Sequence, residues 1–436
     1  MPLWGTFDDS VLSIFSASDK TEAASNGRNG RSGFVSMDWG MFSPDQVASA
    51  RRQQTLGLGS AVRHYNDRAV PGLGGLWYGM PVAWSLLGIF IAEELKKRPL
   101  PSANAVEALS MFGALEAGGN HIDRGLGRRK LASRNDCSFG ALSARGAYVT
   151  QPRRMGTVQP LEQLGFVQPS PQRFNLYRLS SLGEEFLKSF GAEKVALLSW
   201  AEGSRPPKVK TLWPSAQLPR AAAGLLDKQL RQFGSGNDAA RRCALLNSSP
   251  DALSSVLPLL ESRPQGRIDS AHWADLRSGI ALVQLRAAAV GLLARVEQFV
   301  IASPKNSLEP DEVVKPLEVK AELALLCAAA RTMLAEPDTS PDGVAHEFAR
   351  LCSAAPVAVV LELARRDGAV LRVLANGRLG LGSAGGATKA INDEDVDGDG
   401  DAEAGTAGPL LIPELPRIAN LYKLAADLGL NRAAGK

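Results

Sequence analysis

Few residues in this chain have the types and spacing to do chemistry. The four histidines, His64, His121, His272 and His346, stand far apart, and none sits in H-E-x-x-H or another metal-ligand spacing. The four cysteines, Cys137, Cys243, Cys327 and Cys352, form no C-x-x-C pair and read as ordinary buried thiols of a cytosolic protein. Glu318-x-Lys320 has the outline of a nuclease fragment but falls at a predicted helix start, not on a strand. There is no G-x-S-x-G elbow, no G-x-x-x-x-G-K-[ST] loop and no G-x-G-x-x-G after a strand, so no cofactor is expected and no reaction can be named. Asp393, Asp395, Asp397 and Gly398 match positions one, three, five and six of a calcium loop, but position twelve is Ala404 instead of glutamate. An acidic, glycine-rich linker is the stronger reading of that stretch.

What remains is charge. The net charge over 436 residues is only +4, yet it is unevenly spread. Ten bases between Arg124 and Ser180 meet two acids, Asp136 and Glu162. A basic island in a nearly neutral chain is the footprint expected of a phosphate-binding face, with a solvated surface or an acidic protein partner as the alternative. Arg145, Arg153, Arg154, Arg173 and Arg178 are the candidates for phosphate contact. Gln151, Thr157 and Gln159 would lie closest to base edges if their helix enters a groove.

These residues need elements to hold them. Leu161 and Leu164 are three apart and share a helical face, and Gly165 follows as a left-handed stop. Pro152 and Pro160 bracket the helix and shorten it. Phe174 and Leu176 alternate with Arg173, Asn175 and Tyr177, which predicts a short strand between Gln168 and Leu179. Ser181 and Glu184 have capping-box spacing and predict a closing helix with Leu182, Phe186 and Leu187 inward. The "leucine, two residues, leucine-glycine" helix end at Leu161–Gly165 and the Tyr177-Arg178-Leu179-Ser180 run resemble the winged helix-turn-helix of bacterial MarR- and PadR-type DNA-binding proteins. That resemblance implies a helix, a two-stranded wing and contact with DNA. The same domain used only as a packing or protein-contact module is the competing expectation.

A second resemblance spans much of the chain by pattern. "DWGMFSPDQ", the glycine-leucine run before Val62-Arg63, the aromatic-apolar helix after Pro81 and the long "GIALVQLRAAAVGLLARVEQFV" helix are similar to an uncharacterised bacterial family met beside restriction and anti-phage genes. That neighbourhood implies an accessory component with protein partners in a multi-component system, and the lack of a catalytic motif leans the expectation toward a non-enzymatic one. The alternative is a scaffold whose helical bundle supplies the interface.

The chain is long enough for two or three domains with real cores. The expected class is mainly α: an N-terminal helical domain, a central winged-helix domain with a small β-wing, and a C-terminal helical bundle with a short hairpin. The expected divisions are an apolar patch and linker at 1–33, a mostly helical domain at 34–122 and a basic winged domain at 123–205. After a proline-rich joint at Pro206–Pro219 come a bundle at 220–382, an acidic linker at 383–409 and a final helix at 410–436. Phe34–Trp39 is a candidate strand, and Ser43 is placed to cap the helix that follows it. Leu56–Gly75 is expected to be a loop closing over a core. The uncharged run ending at Ala92 approaches the length of a membrane span, but Gly79, Pro81, Ser85 and Gly88 interrupt it; a buried core helix over Pro81–Lys97 is the better expectation, with no membrane. Residues 1–33 lack the basic start and apolar core of a signal peptide, so a cytoplasmic location is expected.

Farther along, Asn237-Asp238, Ser249, Asp269-Ser270 and Ser340 are placed to start helices. The longest should run from Ser270 to Ile301 with Ile280, Val283, Ala287, Val290 and Ala294 on its apolar face. Asn376-Gly377 predicts a hairpin turn.

Overall fold

The computed structural model describes residues 54–170, 173–234, 236–248, 268–386 and 415–429. The chain divides into two units, Met1–Ser43 and Pro44–Lys436, and every described residue belongs to the second. Several expected features lie outside the described residues: the N-terminal patch, the strand at Phe34–Trp39, the helix capped at Ser43, the start at Ser249 and the calcium-like loop.

Among the described residues the fold is mainly helical, as the sequence predicts, with one small antiparallel sheet. In chain order the α-helices are Gly59–Ala69 (α1), Met80–Glu94 (α2), Pro99–Ala117 (α3), Arg128–Ala132 (α4), Phe139–Ser143 (α5), Val158–Gln163 (α6), Ser181–Lys188 (α7) and Gly191–Ala201 (α8). Then follow Arg220–Gln232 (α9), Gly236–Ser248 (α10), Ser270–Ala302 (α11), Pro310–Val313 (α12), Leu317–Ala335 (α13), Val344–Cys352 (α14), Pro356–Asp367 (α15) and Pro416–Asp427 (α16). One buried apolar cluster runs through them from Leu56 to Leu424, passing across residue 123 and across Pro206–Pro219.

Helix α2 is the axis of the N-terminal half. Its residues are apolar on every side, the pattern of a helix that packs all round, and all from Met80 to Ile89 are buried. Its partner α3 crosses it closely at Gly88, where an added Cβ would sit 2.2 Å from the Cα of Ala103. Glycine is the residue that lets the two backbones meet. The expected core helix is therefore present, ending at Glu94.

Local chemistry explains most boundaries. Proline opens α2, α3, α12, α15 and α16, where a missing N–H costs nothing. Gly165, at φ +78°, stops the chain just after α6. The Asp269 carboxylate accepts from the His272 amide at 2.8 Å and caps α11, as its position predicts. The hairpin forms with β2 at Leu371–Val373 and β3 at Leu379–Leu381, and Gly377 takes φ +81° in its turn. A third strand, β1 at Ser307–Leu308, pairs antiparallel with β3 and places Leu308 opposite Leu379. Two residues are too few to show a period, so the sequence is silent about it.

Several expectations are corrected. Leu56–Gly75 is not all loop: its middle is α1, which buries Ala61, Val62, Tyr65 and Ala69 at helical spacing. The cap of α7 is Ser180, whose hydroxyl accepts from the Gly183 amide at 3.1 Å; Ser181 already lies in the helix. Phe174–Leu176 is a 3-10 turn, not a strand, because both Phe174 and Tyr177 turn inward to the core. Only Val167 and Leu179 bridge as strand partners there. On α11, Ile280 is buried as expected, but the deepest residues are Leu276, Leu285, Ala289, Leu292, Leu293, Val296 and Val300. Val283, Ala287, Val290 and Ala294 flank that seam and are half-buried.

Among the described residues, α11 alone is long and apolar enough to cross a membrane by length and composition, and half of its apolar window is buried inside the protein.

Candidate nucleic-acid interface

The basic segment enters this fold in two ways: some of its cations are built into the core and others stand at the surface. The residue that organises the buried part is Glu107 on α3. Its carboxylate is fully enclosed, with Oε1 accepting from the Arg153 amide at 2.9 Å and Oε2 from the Arg154 amide at 3.1 Å. The Tyr148 hydroxyl lies 3.2 Å from Oε1 and 3.1 Å from the Leu126 carbonyl. Burial pushes the Glu107 carboxyl above its ordinary range, against the two amides and the neighbouring arginines that hold it down. Glu107 thereby fixes the 3-10 turn Arg153–Thr157 and the directions of the arginines on it.

Arg154 turns inward. Its Nε donates to Asn104 Oδ1 at 2.8 Å and its guanidinium lies 4.7 Å from the centre of the Phe174 ring. Only 7% of it is exposed, and burial lowers its pKa. Thr157 is wholly buried; its hydroxyl donates to the Arg154 carbonyl and lies 2.8 Å from Ser85 Oγ on α2. Gln159 donates to Asp67 Oδ1 at 2.8 Å, a carboxylate that also pairs with Arg417. Gln151 is half-buried, with its Oε1 enclosed and unpartnered. Of the three residues expected nearest to base edges, none offers a free polar group on an exposed helix face. The helix itself, α6, is six residues long.

Arg145, Arg173 and Arg178 stand at the surface, as does Arg128. Burial raises the Glu93 carboxyl above its ordinary range, against the Leu179 amide and the nearby charge of Arg178. The two acids of the segment are engaged locally: Asp136 accepts from the Ser138 amide and Glu162 from the Ser170 amide. Two acids against ten bases leave the segment with an excess of positive charge.

Arg153 turns the other way from Arg154, toward an indole that sequence reasoning passes over. Its guanidinium lies 5.2 Å from the centre of the Trp77 ring. Arg124 lies 5.8 Å from the same ring and Lys423, on α16, lies 6.0 Å from it. Tyr78 packs against Trp77 with ring centres 4.3 Å apart. The cluster is pinned from below. The Arg124 carbonyl accepts from the Tyr78 hydroxyl at 3.1 Å and from Arg153 Nε at 3.2 Å. Arg124 pays for this with a left-handed φ of +67°, a conformation that costs a non-glycine residue about 1 kcal/mol or more. Its guanidinium pairs with Asp427, whose second oxygen accepts from the Gly79 amide at the start of α2 at 2.9 Å. Trp77, Lys423 and Asp427 carry no motif; only the Trp77-Tyr78 pair in an uncharged loop hints at an aromatic cluster, in which Trp77 is half-buried and Tyr78 buried.

Elsewhere, the four cysteines are free thiols. Among the described residues no three His, Cys, Asp or Glu side chains converge as metal ligands. Glu318 and Lys320 lie exposed on the first turns of α13. Comparison of the chain with protein-family models, curated proteins and solved structures finds no match.

Proposed function

We propose that this protein binds nucleic acid through its basic segment, as a non-enzymatic, cytoplasmic component of a larger system of the kind met in bacterial defence. The observation that carries the reading is the exposure of Arg128, Arg145, Arg173 and Arg178 on a segment that holds ten bases against two acids. Arginine forks at a surface suit phosphate oxygens. With Arg154 and Thr157 inside and α6 short, the contacts expected are to the sugar-phosphate backbone and not to base edges in a major groove. The reading keeps the winged-helix resemblance as a proposal for how the segment evolved, and needs no groove insertion.

The test is binding to duplex DNA across a salt series. Each phosphate neutralised lowers the log of affinity by about 0.9 per tenfold rise in salt, so three or four contacts give a slope near −3 to −4. Replacing Arg145, Arg173 and Arg178 together by alanine should weaken all sequences alike and flatten the slope by up to about 3. Absence of binding at low salt would end the proposal. A second reading, a scaffold that docks another protein, is favoured by α13: Leu317 is 79% and Leu325 61% exposed on its outward face.

A further inference from the structure

The geometry points to a single-strand site at Trp77: we infer that the cluster of Trp77, Arg124, Arg153 and Lys423 takes one unstacked nucleotide, its base laid on the ring-and-guanidinium stack and its phosphate among the three cations. This rests on the nucleic-acid reading above and adds to it the kind of strand.

Three cations from three distant stretches of chain lie within 6.0 Å of one indole. An indole or a guanidinium plane is a platform for any base, and neighbouring cations track the backbone; together they are the recurrent parts of single-strand sites. In a duplex the base faces are hidden by their neighbours, so a platform of this kind has nothing to grip there. Tyr78 lies tilted against one side of the indole and the Arg153 guanidinium lies over the ring, so a base would add to a cluster already built of flat groups. The cations are preorganised: Arg153 is held by the Arg124 carbonyl, and Arg124 by Asp427 and its unusual backbone. Lys423 remains exposed and able to follow a phosphate. Met155, on the same 3-10 turn as Arg153, is 50% exposed, and the next residue, Gly156, packs on the backbone of Gly75 beside the Trp77 loop.

The probes are a twelve-nucleotide oligothymidylate and a DNA duplex of equal length, with the full chain. Trp77→Leu should weaken the single strand about 5- to 100-fold, the range for loss of one stacked base, and change duplex affinity less than twofold. Trp77→Phe should recover most of the loss. Lys423→Ala should weaken the single strand and lower its salt slope by about 0.7, one contact's worth on single strands. Photo-crosslinking of wild type with 5-iodouracil in the oligonucleotide should label the peptide that carries Trp77. If Trp77→Leu proves unstable, the cross-link and Trp77→Phe decide. A protein that binds duplex with the expected slope while Trp77→Leu and Lys423→Ala leave single-strand binding unchanged, or a cross-link that falls elsewhere, overturns the inference and leaves the basic-face reading standing. Failure to bind either probe overturns both.

Discussion

Glu107 shows how one residue turns a basic segment into two kinds of arginine. Both its oxygens accept from N–H groups, which a carboxylate does and an amide cannot. Glu107→Gln should therefore set an NH2 against a backbone N–H and destabilise the fold by about 1–3 kcal/mol, with Glu107→Ala costing more; urea unfolding followed by circular dichroism measures both. Arg154→Ala should cost about 1.5–3 kcal/mol, the range for a hydrogen bond to a charged group, whereas Arg145→Ala should stay within about 0.5 kcal/mol. His272 gives a pH dependence. Its Nε2 lies 2.9 Å from the Ala69 carbonyl and its Nδ1 is buried without a partner, so a second proton has no acceptor and burial lowers the pKa. A histidine depressed in the folded state contributes stability that is full above the ordinary value near 6.5 and is lost as pH falls below it. The melting temperature of wild type should drop between pH 7 and 5 more steeply than that of His272→Gln; equal slopes would remove His272 as the cause. The sequence names Arg153 and Arg154 as a pair of equals. Their opposite fates hang on a glutamate 46 residues upstream of Arg153, and no local pattern carries that.

Among the elements, those written in one stretch of chain are legible and those made by meeting are not. The all-apolar run of α2, the aspartate cap of α11 and the Asn376-Gly377 turn each contain their own reason, and each is found where the sequence puts it. Helix α1 hides behind its glycines, and the buried seam of α11 depends on which neighbours arrive on which side. The turn at Phe174–Leu176 fails as a strand because Phe174 and Tyr177, three apart, both find the core. The Trp77 cluster belongs to the same illegible class, since it joins a loop, two turns and the last helix. The meeting of α2 and α3 gives the sharpest test at this scale. Gly88→Ala would force a methyl into the backbone of Ala103 and should cost about 3 kcal/mol or more, well beyond the helix propensity alanine brings. A variant as stable as wild type would mean that the helices do not cross so closely.

Over the molecule as a whole, a continuous core has consequences for how it comes apart. The proline-rich stretch Pro206–Pro219 looks like a joint, but Val209, Leu212, Trp213 and Leu218 are buried and the Leu212 carbonyl accepts from the Trp84 indole at 2.8 Å. It should resist proteases until the protein unfolds, and tryptophan fluorescence and circular dichroism should report one shared urea transition; early cleavage there, or two separate midpoints, would show that the halves melt apart. The last helix is bound into this core at both ends, through Arg417 with Asp67 and through Asp427 with Arg124 and Gly79. That arrangement sets an order in time. During synthesis the ribosome releases Trp77, Arg124 and Arg153 long before Lys423 and Asp427, so the indole and its arginines wait incomplete through some 270 further residues. The cluster is complete only when α16 has emerged and docked; under the single-strand proposal, a nascent chain surrounded by messenger and ribosomal RNA would be spared an early grip on either.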